Sequence, residues 1–124
     1  MCCNRKGVQI KLMEAKITTI SFAKLFLDDI RTPPDETWTL VNNVPDMILL
    51  CNENEVTHIS LDHDLGDTDP DHSGYDFMCW LEEAVFLEKY DKYSFPDVKF
   101  HTDNPVGRNN MKRSLDHIHR MLLS

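Results

Sequence analysis

Two apolar runs of the chain end abruptly in carboxylates: Leu25-Phe26-Leu27 meets Asp28-Asp29, and Ile59-Ser60-Leu61 meets Asp62-His63-Asp64. A buried strand that delivers charge at its C-terminal end places a ligand site, because ligands of open α/β sheets bind outside the carboxyl ends of the strands. Two such ends on neighbouring strands would gather these acids in one crevice. Like charges about 4 Å apart repel by roughly 4 kcal/mol at an effective dielectric near 20, so the cluster must take up protons or hold a cation. An all-oxygen set suits a hard ion such as Mg2+ or Mn2+, which keeps several waters and engages phosphate oxygens. Asp28, Asp29, Asp62 and Asp64 are thus candidate metal ligands, and phosphate chemistry is the first class to test.

A third apolar segment repeats the theme. Lys99-Phe100 leads into His101-Thr102-Asp103-Asn104 and then Pro105-Val106-Gly107-Arg108. A strand that ends beside a helix start suits an anion, since the N–H groups of the first turn carry partial positive charge. Thr102 and Asn104 would stand at that start, and Arg108 would add a forked donor for phosphate oxygens. Arg31 fits either phosphate capture or an ion pair with Asp28 or Asp29. His63 and His101 sit among acids at strand ends, and imidazole is the side chain best suited to carry protons near neutral pH.

Each element has a plainer use. Asp28 and Asp29 could only form a turn before Thr32-Pro33-Pro34-Asp35, and Asp62 and Asp64 could open the turn that closes at Gly66. Asp67, Asp69, Asp71 and His72 read as a solvated loop face, with a lid over the site as the alternative. His117 and His119 lie two apart on a helix and do not face each other, so they read as structural or solvent-facing. Trp38 and Trp80 read as core.

The elements that must position these residues follow from periodicity. Short apolar runs predict strands over Ala23–Leu27, Trp38–Val41, Val56–Leu61 and Val98–His101. Ile17–Phe22 is β-branched and either forms its own strand or leads into the next. Pro45 opens a short helix to Asn52. From Gly74 to Tyr90, Phe77, Trp80, Leu81, Ala84 and Leu87 share one helical face, with Ser73 and Asp76 spaced as an N-terminal cap. The last helix begins near Asn104-Pro105 and carries Met111, Leu115, Ile118 and Leu122 as a stripe. Alternating strands and helices predict an α/β fold with a mainly parallel sheet of about four core strands and helices on both faces. The link between the first two strands is short for a helical crossover.

The 124 residues fit one domain, expected over 13–124, with the polar, basic residues 1–12 as an extension. A formal net charge of -8 argues against a general duplex nucleic-acid surface but admits a small anion beside a bound metal. Four cysteines show neither zinc-ligand nor disulfide-framework spacing. Together with the absence of a signal-like or membrane-spanning apolar stretch, this predicts a soluble, cytoplasmic protein.

The segments Leu27–Pro33, Leu61–Gly66, Gly74–Asp76 with Trp80–Glu82, and His101–Arg108 resemble the cyclic-phosphate processing branch of the receiver-domain superfamily. The resemblance spans about residues 24–112 and implies a receiver, flavodoxin-like fold, reduced here because there is room for four clear strands. In ordinary receivers an acid pair after the first strand binds Mg2+, an Asp after the third accepts a phosphoryl group, and a Ser or Thr follows the fourth. These positions correspond to Asp28-Asp29, Asp62 and Thr102. The Lys that receivers place after a fifth strand has no counterpart, and His63 and His101 are additions.

The expectation is a metal-dependent phosphoesterase-like domain acting on a cyclic phosphate of a nucleotide, RNA end or ADP-ribose derivative, the substrate class being implied by the resemblance. Asp29 and Asp62 would hold the metal, with Asp28 or Asp64 binding through water; His63 and His101 would share general base and general acid work, and Arg108, Arg31 and Asn104 would offset phosphate charge. A phosphoacceptor receiver acting through Asp62 and a non-catalytic module that sequesters a cyclic nucleotide are the alternatives.

Overall fold

The computed structural model describes residues 22–123. The extension expected over residues 1–12 and the run from Ile17 lie outside the described residues, apart from Phe22, which opens the first strand. Four strands alternate with three helices: β1 (Phe22–Leu27), β2 (Trp38–Val41), α1 (Val44–Glu53), β3 (Glu55–Leu61), α2 (Gly74–Phe86), β4 (Asp97–Phe100) and α3 (Pro105–Leu123), with a 3-10 turn at Gly66–Thr68. The sheet is parallel throughout and ordered β2-β1-β3-β4.

This order makes the gap between β1 and β3 the place where connections diverge. The chain leaves β1 toward β2 on one side, then travels through β3 and β4 toward the other. Crossovers between parallel strands are right-handed, so those through α1 and α2 run over the same face. The core agrees. Leu25 and Leu27 of β1, Ile59 and Leu61 of β3 and Val98 of β4 bury against Met47 of α1, Phe77 and Leu81 of α2 and Met111 and Ile118 of α3. Helices were expected on both faces; the described ones share this face, because residues 28–37 join β1 to β2 without a helix.

A shift in register between Ala23 and Lys24 explains an irregular inward pattern. Ala23 pairs with Val56 but Lys24 pairs with His58, leaving Thr57 as the extra residue. Val56, Ile59 and Leu61 therefore all reach the core although they are not evenly spaced. The opposite face carries Phe26 and Trp38 in an edge-on contact, ring centroids 6.1 Å apart, with Lys24 Nζ 5.0 Å above the Trp38 ring. Trp38, expected in the core, is half-buried on this face because its register partner is the outward Lys24.

The helix expected to reach Tyr90 stops at Phe86. Glu88 turns into the left-handed region at φ 65, its N–H donates to Val85 O at 3.0 Å, and the Lys89 N–H donates to Ala84 O at 2.9 Å. These are the paired bonds of a Schellman termination. Leu87 is consequently exposed instead of joining the buried stripe.

Candidate active site

The acid-tipped ends of β1 and β3 lie side by side, joined by the Asp62 N–H bond to Leu27 O at 2.9 Å. Asp28, Asp29 and Asp62 each offer a carboxylate oxygen within 4.8 Å of the others. Asp28 is only 1% exposed and Asp62 9%, so two acids of the cluster have little water of their own. Their environments differ. Burial pushes Asp28 upward, but the N–H groups of Ile30 at 2.9 Å and Arg31 at 3.1 Å, together with His101, outweigh it and hold the carboxyl below its usual range. Asp29 is pushed up by burial and by the neighbouring Asp28 and Asp62 charges. It also abuts Gly66, a left-handed residue at φ +56, where a Cβ would come within 2.7 Å of Asp29 Oδ2. Three oxygen donors with a carboxyl strained by its like-charged neighbours fit a hard divalent cation.

Asp64, expected among the ligands, stands outside this cluster. Its Oδ1 lies 2.9 Å from His63 Nδ1, and its Oδ2 accepts from Asn104 Nδ2 at 3.2 Å. The His63 contact, reinforced by Asn104, holds the Asp64 carboxyl below its usual range against some burial. Among the described residues no hydrogen bond engages His63 Nε2. The His63 ring packs on the first turn of α3, where a Cβ added to Gly107 would overlap it.

His101 is committed differently. Its Nε2 lies 2.8 Å from Asp28 Oδ2 and its Nδ1 2.7 Å from Ser60 Oγ. Its ring stacks on Phe26 with centroids 4.2 Å apart and planes 7° from parallel. Both ring nitrogens are therefore engaged.

The expected phosphate contacts largely serve the backbone. Arg31 donates to His101 O at 2.7 Å and pairs with Asp103, while its Nη1 stays 3.8 Å from Asp28 Oδ2. Arg108 donates through Nη2 to Thr102 O at 3.0 Å and, at 3.5 Å, to Phe100 O. Its remaining N–H groups have no bond among the described residues. Thr102 is buried and its Oγ1 accepts the Asn104 N–H at 3.2 Å. Asn104 caps α3, its Oδ1 accepting the Gly107 N–H at 3.0 Å. With Pro105 lacking an N–H, the helix start has less to offer an anion than its sequence suggested.

Two residues make contacts here that the sequence did not reveal. Ser60 is one, concealed because its strand position looked like ordinary outward alternation. Asp69 is the other. Assigned to a solvated loop, it is 7% exposed, accepts the Val44 N–H at the start of α1 at 2.8 Å and meets His72 Nδ1 at 2.9 Å.

No described helix is long and apolar enough to cross a membrane. Searches of curated proteins and of solved structures gave no match. Residues 23–117 match the family described as Cyclic-phosphate processing Receiver domain. That match covers most of the 124 residues and contains every residue of the acid cluster and of the His63 and His101 contacts, so the chain belongs to the cyclic-phosphate processing receiver domain family.

Proposed function

We propose that the protein is a divalent-metal-dependent phosphoesterase that hydrolyses a cyclic phosphate borne by a nucleotide, an RNA end or an ADP-ribose derivative. The observation that carries this reading is the convergence of Asp28, Asp29 and Asp62, with the His63–Asp64 pair following directly in the chain. Asp29 and Asp62 would hold Mg2+ or Mn2+, with Asp28 completing the set directly or through water. When bound, such an ion offsets charge on a phosphate and makes water a better nucleophile.

The chain's own groups supply the remainder. An ionised Asp64 accepts from His63 Nδ1–H, which leaves Nε2 as the acceptor in neutral imidazole. His63 is thereby prepared to take a proton from attacking water. One P–O bond forms, the ring P–O bond breaks, and the released alkoxide takes a proton from solvent. Arg108 retains N–H groups for non-bridging phosphate oxygens. His101, with both nitrogens engaged, supports Asp28 instead of exchanging protons with substrate.

Phosphorus NMR of a panel of cyclic phosphates with Mg2+, with Mn2+ and with chelator tests this reading. Ring-opened product only in the presence of metal is the expected result. Inertness across the panel with metal present would remove the hydrolytic claim, and shifted but intact ligand signals would point to sequestration. Mass increase at Asp62 after incubation with acetyl phosphate would favour a signalling receiver.

A further inference from the structure

The opposite sheet face is connected to the acid cluster by one chain of side chains. Ser60 Oγ lies 2.7 Å from His101 Nδ1, and His101 Nε2 lies 2.8 Å from Asp28 Oδ2. We propose that Ser60 is a positioning residue: its hydroxyl donates to His101 Nδ1, holds in place the imidazole whose Nε2–H faces Asp28, and so keeps the Asp28 carboxylate in the orientation the cluster requires. This inference rests on the metal-site reading for its consequence, although not for its geometry.

The hydrogen-bond inventory leads to that assignment. An ionised Asp28 can only accept, so the nitrogen facing it must donate. A neutral imidazole then has one acceptor left, Nδ1, and the Ser60 hydroxyl is the donor within reach. The ring has little freedom to choose otherwise. Phe26 stacks on its face, its own backbone N–H donates to Leu61 O at 3.0 Å, and Arg31 holds its carbonyl at 2.7 Å. The other Asp28 oxygen is fixed by the Ile30 and Arg31 N–H groups. Ser60 and His101 thus determine the second half of the orientation of a carboxylate whose first half is set by backbone. Partners that orient a metal ligand, as His101 orients Asp28, typically change metal affinity about 10–100-fold when removed, and Ser60 acts on that ligand through His101.

The same three residue types form hydrolase triads, but the arrangement here does not serve a nucleophilic serine. Ser60 lies inside β3, paired with Phe26 on one side and Lys99 on the other. The surrounding backbone N–H groups belong to the sheet ladder and do not converge as an oxyanion site.

Nitrogen NMR of the imidazoles, with His101→Gln used for assignment, reads the tautomer directly in metal-free full-length protein. The proton is expected on His101 Nε2, facing Asp28, in the wild type and in Ser60→Ala alike, with the Nδ1 resonance leaving its hydrogen-bonded position in Ser60→Ala and regaining it in Ser60→Thr. A proton on Nδ1 in the wild type, or an Nδ1 resonance unchanged in Ser60→Ala, would overturn the assignment. Mn2+ titration followed by electron paramagnetic resonance should show affinity falling about tenfold in Ser60→Ala and recovering in Ser60→Thr. Equal affinity in all three would overturn the positioning role. If the wild type binds no Mn2+, the metal reading and the claimed consequence for it fall while the Nδ1 resonance still decides the Ser60–His101 contact. Labelling of Ser60 by a fluorophosphonate would replace positioning with a nucleophilic role.

Discussion

The His63 imidazole occupies the space that a side chain at Gly107 would need. A Cβ built on Gly107 overlaps the ring and comes within 3.0 Å of His63 Cβ, so the conflict involves the root of the imidazole as well as its edge. The ring cannot swing away freely, because Nδ1 is bonded to Asp64. Glycine in the first turns of α3 is therefore what admits the His63 ring against that helix.

Gly107→Ala tests this relationship. Alanine favours a helix over glycine by roughly 1 kcal/mol, whereas forcing extra volume into a packed site costs typically 1–3 kcal/mol. The packing penalty should win, giving a net loss of about 1 kcal/mol in urea unfolding. Hydrolysis should fall together with it, since His63 must move. A more stable protein with full activity would mean that the ring adapts without consequence.

Asp29→Asn separates the electrostatic cost of the cluster from its use. The Asp29 carboxyl is held above its ordinary range, largely by burial and then by Asp28 and Asp62. An acid whose folded pKa is raised binds protons more readily when folded, so metal-free protein should gain stability as pH falls through that raised pKa toward the ordinary value of 3.8. Asp28 and Asp64 act oppositely, being held low; their contribution is present above 3.8 and is lost as pH falls through their folded values. Asn at position 29 should remove the first effect, stabilise metal-free protein at neutral pH and weaken Mg2+ binding by more than about tenfold. Thermal unfolding with and without Mg2+ reads both. Unchanged metal affinity would exclude Asp29 as a ligand.

These effects mark what could be read from sequence. The Leu27-Asp28-Asp29 and Leu61-Asp62 junctions were legible because strand apolarity and terminal charge are both local, and the β2 boundaries matched because Trp38–Val41 is bracketed by turns. Partner choice was less legible. Arg31 fitted phosphate capture or an ion pair by type, yet it binds the His101 carbonyl and Asp103, contacts that only the three-dimensional approach of residues 101–103 to residue 31 determines; Arg108 spends one nitrogen on the carbonyls of Phe100 and Thr102 just before its own helix. Asp64 looked like a ligand because it follows the same strand end as Asp62, but its carboxylate turns to His63 and Asn104. Asp69 was hidden among acids of a polar loop, since no local pattern reveals a bond to an N–H at Val44.

Asp69→Ala should expose how that loop is fastened. The substitution leaves the Val44 N–H, at the start of α1, without its carboxylate, and an unsatisfied buried donor costs about 1–3 kcal/mol. Burial raises the Asp69 pKa, but the Val44 N–H and His72 outweigh it and the net shift is downward. His72 is held up, chiefly by Asp69. Stability from Asp69 is present above 3.8 and is lost as pH falls through its lowered folded value. The part from His72 is present below 6.5 and is lost as pH rises through its raised folded value. The wild type should thus exceed Asp69→Ala by the widest margin in mildly acidic solution, as measured by urea midpoints across pH. A constant margin would mean that the His72 contact contributes nothing.

His63 and Asp64 make the sharpest division between proton transfer and metal binding. Asp64 is outside the cluster of Asp28, Asp29 and Asp62, and both its oxygens are spent on His63 and Asn104. If it orients His63, then Asp64→Ala should reduce turnover of a cyclic phosphate about tenfold while leaving Mg2+ affinity unchanged. Asp64→Asn, whose amide oxygen can still accept from Nδ1, should retain most activity. His63→Ala should cost more, on the order of the 10²–10⁴-fold that a positioned acid–base group contributes, again with Mg2+ affinity intact. Because Asp64 and His63 act through one imidazole, the double variant should be no slower than His63→Ala alone. Additive losses in the double variant, or a fall in Mg2+ affinity on Asp64→Ala comparable to that of Asp29→Asn, would make Asp64 a metal ligand in its own right.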